Sequence, residues 1–168
     1  MSSLPSSVLR AAVAVAAMVV LVPGAASAQL RVSIGAGAGI AGSTMGSLSE
    51  GLTAPVAMGE VAAMAKAVGV GVEVDGWRHD SLSILIASAD LHVRLASTPL
   101  VIKLGAGVGR GDPDGQGTIS GTAGHIGATY DFGFSATRAL TLFANGLVVY
   151  TFARTLQMAD AGLAITWR

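Results

Sequence analysis

From Val68 to Asp75 the chain reads VGVGVEVD: every residue of one parity is valine, and every residue of the other is glycine or an acid. A period of two is that of a β-strand, whose successive side chains point to opposite faces. The same separation sets Val32, Ile34, Ala36, Ala38 and Ile40 against Arg31, Ser33, Gly35, Gly37 and Gly39. It also sets Ile102, Leu104, Ala106 and Val108 against Lys103, Gly105, Gly107 and Gly109. Three copies of one face pattern predict one sheet. The first copy runs into Gly37-Ala38-Gly39-Ile40-Ala41-Gly42, which spells a dinucleotide fingerprint. That motif needs its third glycine to open a helix. The residues that follow, GSTMGSLSEGLTAP, are loop formers instead, so the stretch reads as a strand and not as a nucleotide site.

The same rule gives eight candidate strands, near Leu30–Ala41, Met58–Ala67, Val68–Trp77, Leu82–Leu95, Leu100–Gly109, Thr118–Phe134, Leu140–Ala153 and Leu156–Trp167. Connections alternate in kind. Polar ones cover Gly42–Pro55, Arg78–Ser81, Arg110–Gly117 and the short Arg154–Thr155; tight ones fall near Lys66–Gly69, Ser97–Pro99 and Ser135–Arg138. Pro55–Ala67 also admits a helix, since Ala, Met, Glu and Lys favour one and Pro55 suits a first turn behind Thr53. Seven strands would then remain; the strand reading keeps an even count, with both termini of the barrel on one side.

One face of these strands is apolar or small: Leu85, Ala87, Ala89, Leu91, Val93 and Leu95 in the fourth, Ala159, Ala161, Leu163, Ile165 and Trp167 in the eighth. The opposite face carries Glu73, Asp75, Asp90, His92, Arg94, Lys103, His125, Asp131 and Asp160. A soluble barrel turns its polar face to water and its apolar face inward. With only 12% charged residues against 52% apolar ones, the inverse arrangement is expected, with charge lining the axis and apolar atoms facing lipid. Closure then removes every edge that lipid would leave unpaired. The fold class expected is all-β, an up-and-down antiparallel eight-stranded transmembrane β-barrel. Trp77, Tyr150 and Phe152 toward the loop side, and Tyr130, Phe132 and Trp167 toward the turn side, are expected to form two aromatic girdles.

Ahead of this lies an export signal. Arg10 precedes the apolar run Ala11–Val22, too short to span a bilayer as a helix and of the length of a cleaved signal core. Ala26-x-Ala28 supplies the small residues for cleavage after Ala28, so residues 1–28 are expected to be the signal and residues 29–168 the barrel domain. With no cysteine, an exported chain has no disulfides to hold it. Nine Lys/Arg against ten Asp/Glu beyond the signal give no reason to expect a nucleic-acid partner.

The signal, VGVGVEVDGWR, KLGAGVG, GATYDFGF and the closing AGLAITWR together resemble the small eight-stranded outer-membrane β-barrel family of OmpA/OmpX type, over the whole of residues 29–168. The resemblance implies a bacterial outer-membrane location, a partnership with outer-membrane lipid, and insertion by the barrel-assembly machinery. The closing strand resembles the family's assembly signal, which ends in an aromatic residue, here Trp167; Arg168 after it is a departure, as are the low aromatic and high Ala/Gly contents.

For chemistry inside the barrel, a turn centred between Ser97 and Thr98 sets His92 beside Lys103, and a loop centred near Asp114 sets Lys103 beside His125. These groups, with Asp90 and Asp131 as diagonal partners, read as a hydrogen-bonded plug. A sharper expectation is that protonating His92 and His125 below pH ~6 loosens it. His79, Asp80 and Ser81 are consecutive, which rarely aims three side chains at one reacting atom, so no catalysis is expected. Asp112, Asp114 and Gln116 lack the closing glutamate of a calcium loop, and Arg110-Gly111-Asp112 beside Asp-Pro-Asp-Gly reads as turn chemistry. The expectation is a monomer with a structural or surface-interaction role and no cofactor or metal; the alternatives are a narrow small-solute channel and a soluble periplasmic ligand-binding barrel.

Overall fold

Eight runs with a charged face and an apolar face can satisfy every backbone group only if the sheet closes on itself. In the computed structural model it does so, as a closed barrel of eight antiparallel strands in sequence order. Residues 28–43, 52–79, 82–113, 118–152 and 155–168 are described; apart from Ala28, the segment read as a signal lies outside them, as do Asp80, Ser81 and the tip of the Asp114–Gly117 loop. The strands are β1 (Gln29–Ser43), β2 (Leu52–Ala65), β3 (Val68–His79), β4 (Leu82–Arg94), β5 (Leu100–Pro113), β6 (Ile119–Gly133), β7 (Arg138–Tyr150) and β8 (Thr155–Trp167).

Pro55–Ala65 is therefore strand, with Lys66 and Ala67 in the turn that follows, and β2 begins at Leu52, six residues earlier than the alternation indicates. Pairing to β1 and β3 overrides the helical preference of its alanines. Tight connections close one end. Lys66 and Ala67 join β2 to β3, with Lys66 at φ 57°, and Ser97 lies at φ 61° between β4 and β5.

Passing from Trp77 to its ladder partners Val56, Gly37, Gly162, Phe143, Thr129, Val101 and Arg94 completes a circuit of the barrel, and the Arg94 amide bonds Ala67 O. The circuit thus returns to β3 ten residues away from where it began. Such a stagger requires strands strongly tilted to the barrel axis, and it fixes which side chains share a level.

The sidedness is the one the alternation demands. Ile34, Ile40, Leu104, Val108, Ile126 and Leu163 are exposed on the outer wall, whereas Glu60, Glu73, Asp75, Asp90, Lys103 and Asp131 are buried in the centre. A soluble ligand-binding barrel has the reverse arrangement. Two expectations are corrected. Trp77 is not part of a girdle: it shares the parity of Glu73 and Asp75, points inward, and is 1% exposed. His125 is opposite Gly105, not Lys103, whose partner is Gly127. The β5–β6 ladder centres one residue past Asp114, and each residue of shift in a turn centre moves a partner by two.

Candidate functional site

The barrel interior holds what chemistry the described residues offer, and it is stacked in three layers. At the turn end, Asp131 accepts a bidentate pair of bonds from Arg31, both 2.9 Å, another from Arg168 at 2.7 Å and a fourth from Thr141 at 2.7 Å. A hydroxyl chain runs on from Thr141 to Thr166 (2.6 Å) to Ser33 (2.9 Å). The fork of Arg31 matches the carboxylate in geometry as well as charge.

The second layer begins with a conflict. Glu60 and Glu73 are direct ladder partners on β2 and β3, both inward, a like-charge pair that alone would destabilise the sheet. Lys103 resolves it from across the lumen, where its Nζ donates to Glu73 Oε2 and, at 3.3 Å, to Glu60 Oε2. Arg31 Nε lies 3.5 Å from the other oxygen of Glu60. Asn145 donates to Glu73 Oε1 at 2.9 Å. Beside this, His125 Nδ1 is 2.7 Å from Asp90 Oδ1, Ser88 donates to Asp90 Oδ2 at 3.0 Å, and His125 Nε2 stands 3.8 Å from Glu73 Oε1. Donor atoms of Glu73, Asp90 and His125 lie within 4.8 Å of one another, a spacing that would suit a metal ion. Lys103 and Asn145 already occupy the oxygens of Glu73, and Asp90 holds Nδ1, so this trio is knit into the protein's own ion network. A proton on His125 would add a cation between two carboxylates.

The third layer, at the loop end, is apolar. Trp77 packs in one buried cluster with Val56, Ile84, Ile86, Leu147, Val149 and Met158. Inward glycines make the space that the large side chains fill. A Cβ on Gly39 would stand 2.3 Å from the Trp77 ring, one on Gly105 1.8 Å from the Asp90 carboxylate, and one on Gly71 2.8 Å from His92 Nε2. These glycines therefore receive side chains from nearby strands.

Of the expected interior residues, Glu73, Asp90, Lys103, His125 and Asp131 are brought into one bonded stack. His92 is buried opposite Lys103 as expected. Asp75 and Asp160 are buried; neither oxygen of Asp75 finds a partner among the described residues, and Asp160 faces its ladder partner Asn145. Arg94 has the inward parity but sits half-buried at the turn rim, outside the stack. Sequence reasoning missed Glu60, Asn145, Thr141 and Thr166, and left Arg31 without a partner. Parity relative to Met58 was the signal available for Glu60. Outside, Tyr130 and Phe132 pack with centroids 4.8 Å apart and their planes tilted by 52°, and Trp167 shares their end of the barrel. Tyr150 and Phe152 are exposed at the other end. His79 ends β3, but its side chain lies outside the described residues, as do Asp80 and Ser81.

No family model and no curated protein matches the chain. Solved structures do. The Neisserial surface protein A is similar at a TM-score of 0.67 and 10% identity, over 83% of this chain and 97% of that one. Ail, the attachment invasion locus protein of Yersinia pestis, is similar at a TM-score of 0.55 and 15% identity, over 82% and 97%. At such identities the comparison speaks to architecture, and architecture is what the ladder and the sidedness already specify: the chain has the fold of the small eight-stranded outer-membrane β-barrels.

Proposed function

We propose that this chain is a bacterial outer-membrane protein with a structural or surface-interaction role, exported by a signal cleaved after Ala28, inserted into outer-membrane lipid by the barrel-assembly machinery, and working as a monomer without catalysis. Its apolar wall supports the location, and so does the fold it shares with a Neisserial surface protein and with Ail. Ail is named for attachment and invasion, which favours a role carried by the exposed loop end over one carried by the lumen.

The observation that carries this reading is the plug. Trp77 and its cluster occupy the lumen at the loop end, and the Asp131 and Lys103 layers occupy it below, which favours a plugged barrel over the narrow-channel alternative. Cell fractionation is expected to place the protein with the outer membrane, and liposomes carrying it are expected to swell in small sugars no faster than empty ones. Recovery in the soluble periplasm, or swelling that rises with protein content, would overturn the reading.

A further inference from the structure

We propose that Arg78 and Arg110 form a site on the outer wall for the phosphate of a lipid headgroup in the outer leaflet, an inference that rests on the membrane reading above. Charge on the described strands lies mostly in the lumen, yet Arg78 on β3 and Arg110 on β5 have the outward parity and are exposed at the loop end, with Asp112 at the same parity as Arg110 and Arg138 exposed at the turn end. Neither forms an ion pair with a described residue. Arg78 is the ladder partner of Ser83 on β4, whose other partner is Asp112 on β5.

Strand tilt then brings the two arginines level. A stagger of ten residues over eight strands shifts a level position by a little over one residue per strand. Two strands on from Arg78, the side chain at the same height thus lies two to three residues back from the ladder position Asp112, and Arg110 is there. The two stand one intervening strand apart, roughly 10 Å across the sheet. The exposed hydroxyls of Ser83 and Ser120 are beside them, Ser120 being the partner of Arg110. Just below this level the wall turns apolar at Leu85 and Val108, both exposed.

The chemistry of this arrangement fits a phosphate carried at the boundary of an apolar layer. A guanidinium is always charged, weakly hydrated, and presents paired N–H donors that match phosphate oxygens. Its stem lies along apolar wall while its head reaches the interface. The acyl chains of the same lipid would cover Leu85 and Val108, anchoring the headgroup from below. Free phosphate lacks that second anchor, and this is why the site is assigned to a lipid.

The test uses the full-length processed barrel in detergent micelles, with lipid retention read by native mass spectrometry. The probes are bis-phosphorylated lipid A and the same lipid after enzymatic removal of its phosphates. The wild-type barrel is expected to retain the phosphorylated form and to lose it on dephosphorylation. Retention by R78Q/R110Q should fall at least about tenfold, as two charge-assisted contacts are lost, whereas R138Q, altered at the turn end, should behave as wild type. R78K/R110K, which keeps charge but not the fork, should fall in between and covers the case in which the glutamine variant does not fold. Equal retention of the dephosphorylated lipid, equal retention by both double variants, or displacement by inorganic phosphate at the lipid's own concentration overturns the site. A wild-type barrel that fails to enter lipid vesicles would instead overturn the membrane reading, a separate result.

Discussion

Lys103 is the residue on which the second layer depends, because two glutamates paired across β2 and β3 are compatible only while an ammonium stands between them. Lys103→Met leaves both carboxylates buried without their cation. It is expected to destabilise the barrel by about 3–5 kcal/mol in urea titrations in micelles. Asp75→Asn is expected to be neutral or stabilising by the same measurement, since neither oxygen of Asp75 has a protein partner to lose. If the two variants behaved alike, burial and not pairing would govern the lumen. Gly39 and Trp77 make a second residue-scale test. Gly39→Ala crowds the indole and should cost about 1–3 kcal/mol, while Trp77→Ala empties the plug and should cost about 3–5 kcal/mol. The double variant should cost less than their sum, because the clash disappears with the ring.

At the scale of strands and turns, the tight end of the barrel carries local strain. Lys66 takes a left-handed conformation in the two-residue β2–β3 turn, which costs an L-residue roughly 1–2 kcal/mol relative to glycine. Lys66→Gly should therefore raise the unfolding midpoint, less than fully, because glycine also gains freedom in the unfolded chain; a lowered midpoint would mean that the lysine side chain contributes more than its backbone costs. Strand identity was legible in the sequence wherever one face is lipid-facing and the other charged, as in β3, β4, β5 and β8, because burial imposes a strict period of two. It was obscured in the first half of β2, where Thr53, Pro55 and a run of small residues carry no polar contrast; Glu60 lay within the strand read from Met58, but with no inward face assigned to that strand it was not matched to Glu73. Register was legible across the Ser97–Thr98 turn but not across the Asp114 loop, since turn centres and not face patterns set it. Trp77 was misplaced because its position near a strand end was weighed above its own parity; glycine at position 39, two strands away in the fold, is what makes room for it.

For the whole molecule, the inversion of polarity unites these observations. The chain gathers its acidic groups and their cationic partners around the axis, where they meet one another, and lines its outer wall with aliphatic groups that in water nothing would cover. An outer wall of this kind is stable only against acyl chains. The sequence has no cysteine, so single nitroxide labels can be introduced without background. The most direct measurement is the collision rate of labels at Ile34, Leu104 and Ile126, in the barrel reconstituted in phospholipid vesicles, with oxygen and with a water-soluble nickel chelate. High oxygen accessibility and exclusion of the chelate at all three positions is the predicted result. Free collision with the chelate there would show the aliphatic wall facing water and would contradict the account.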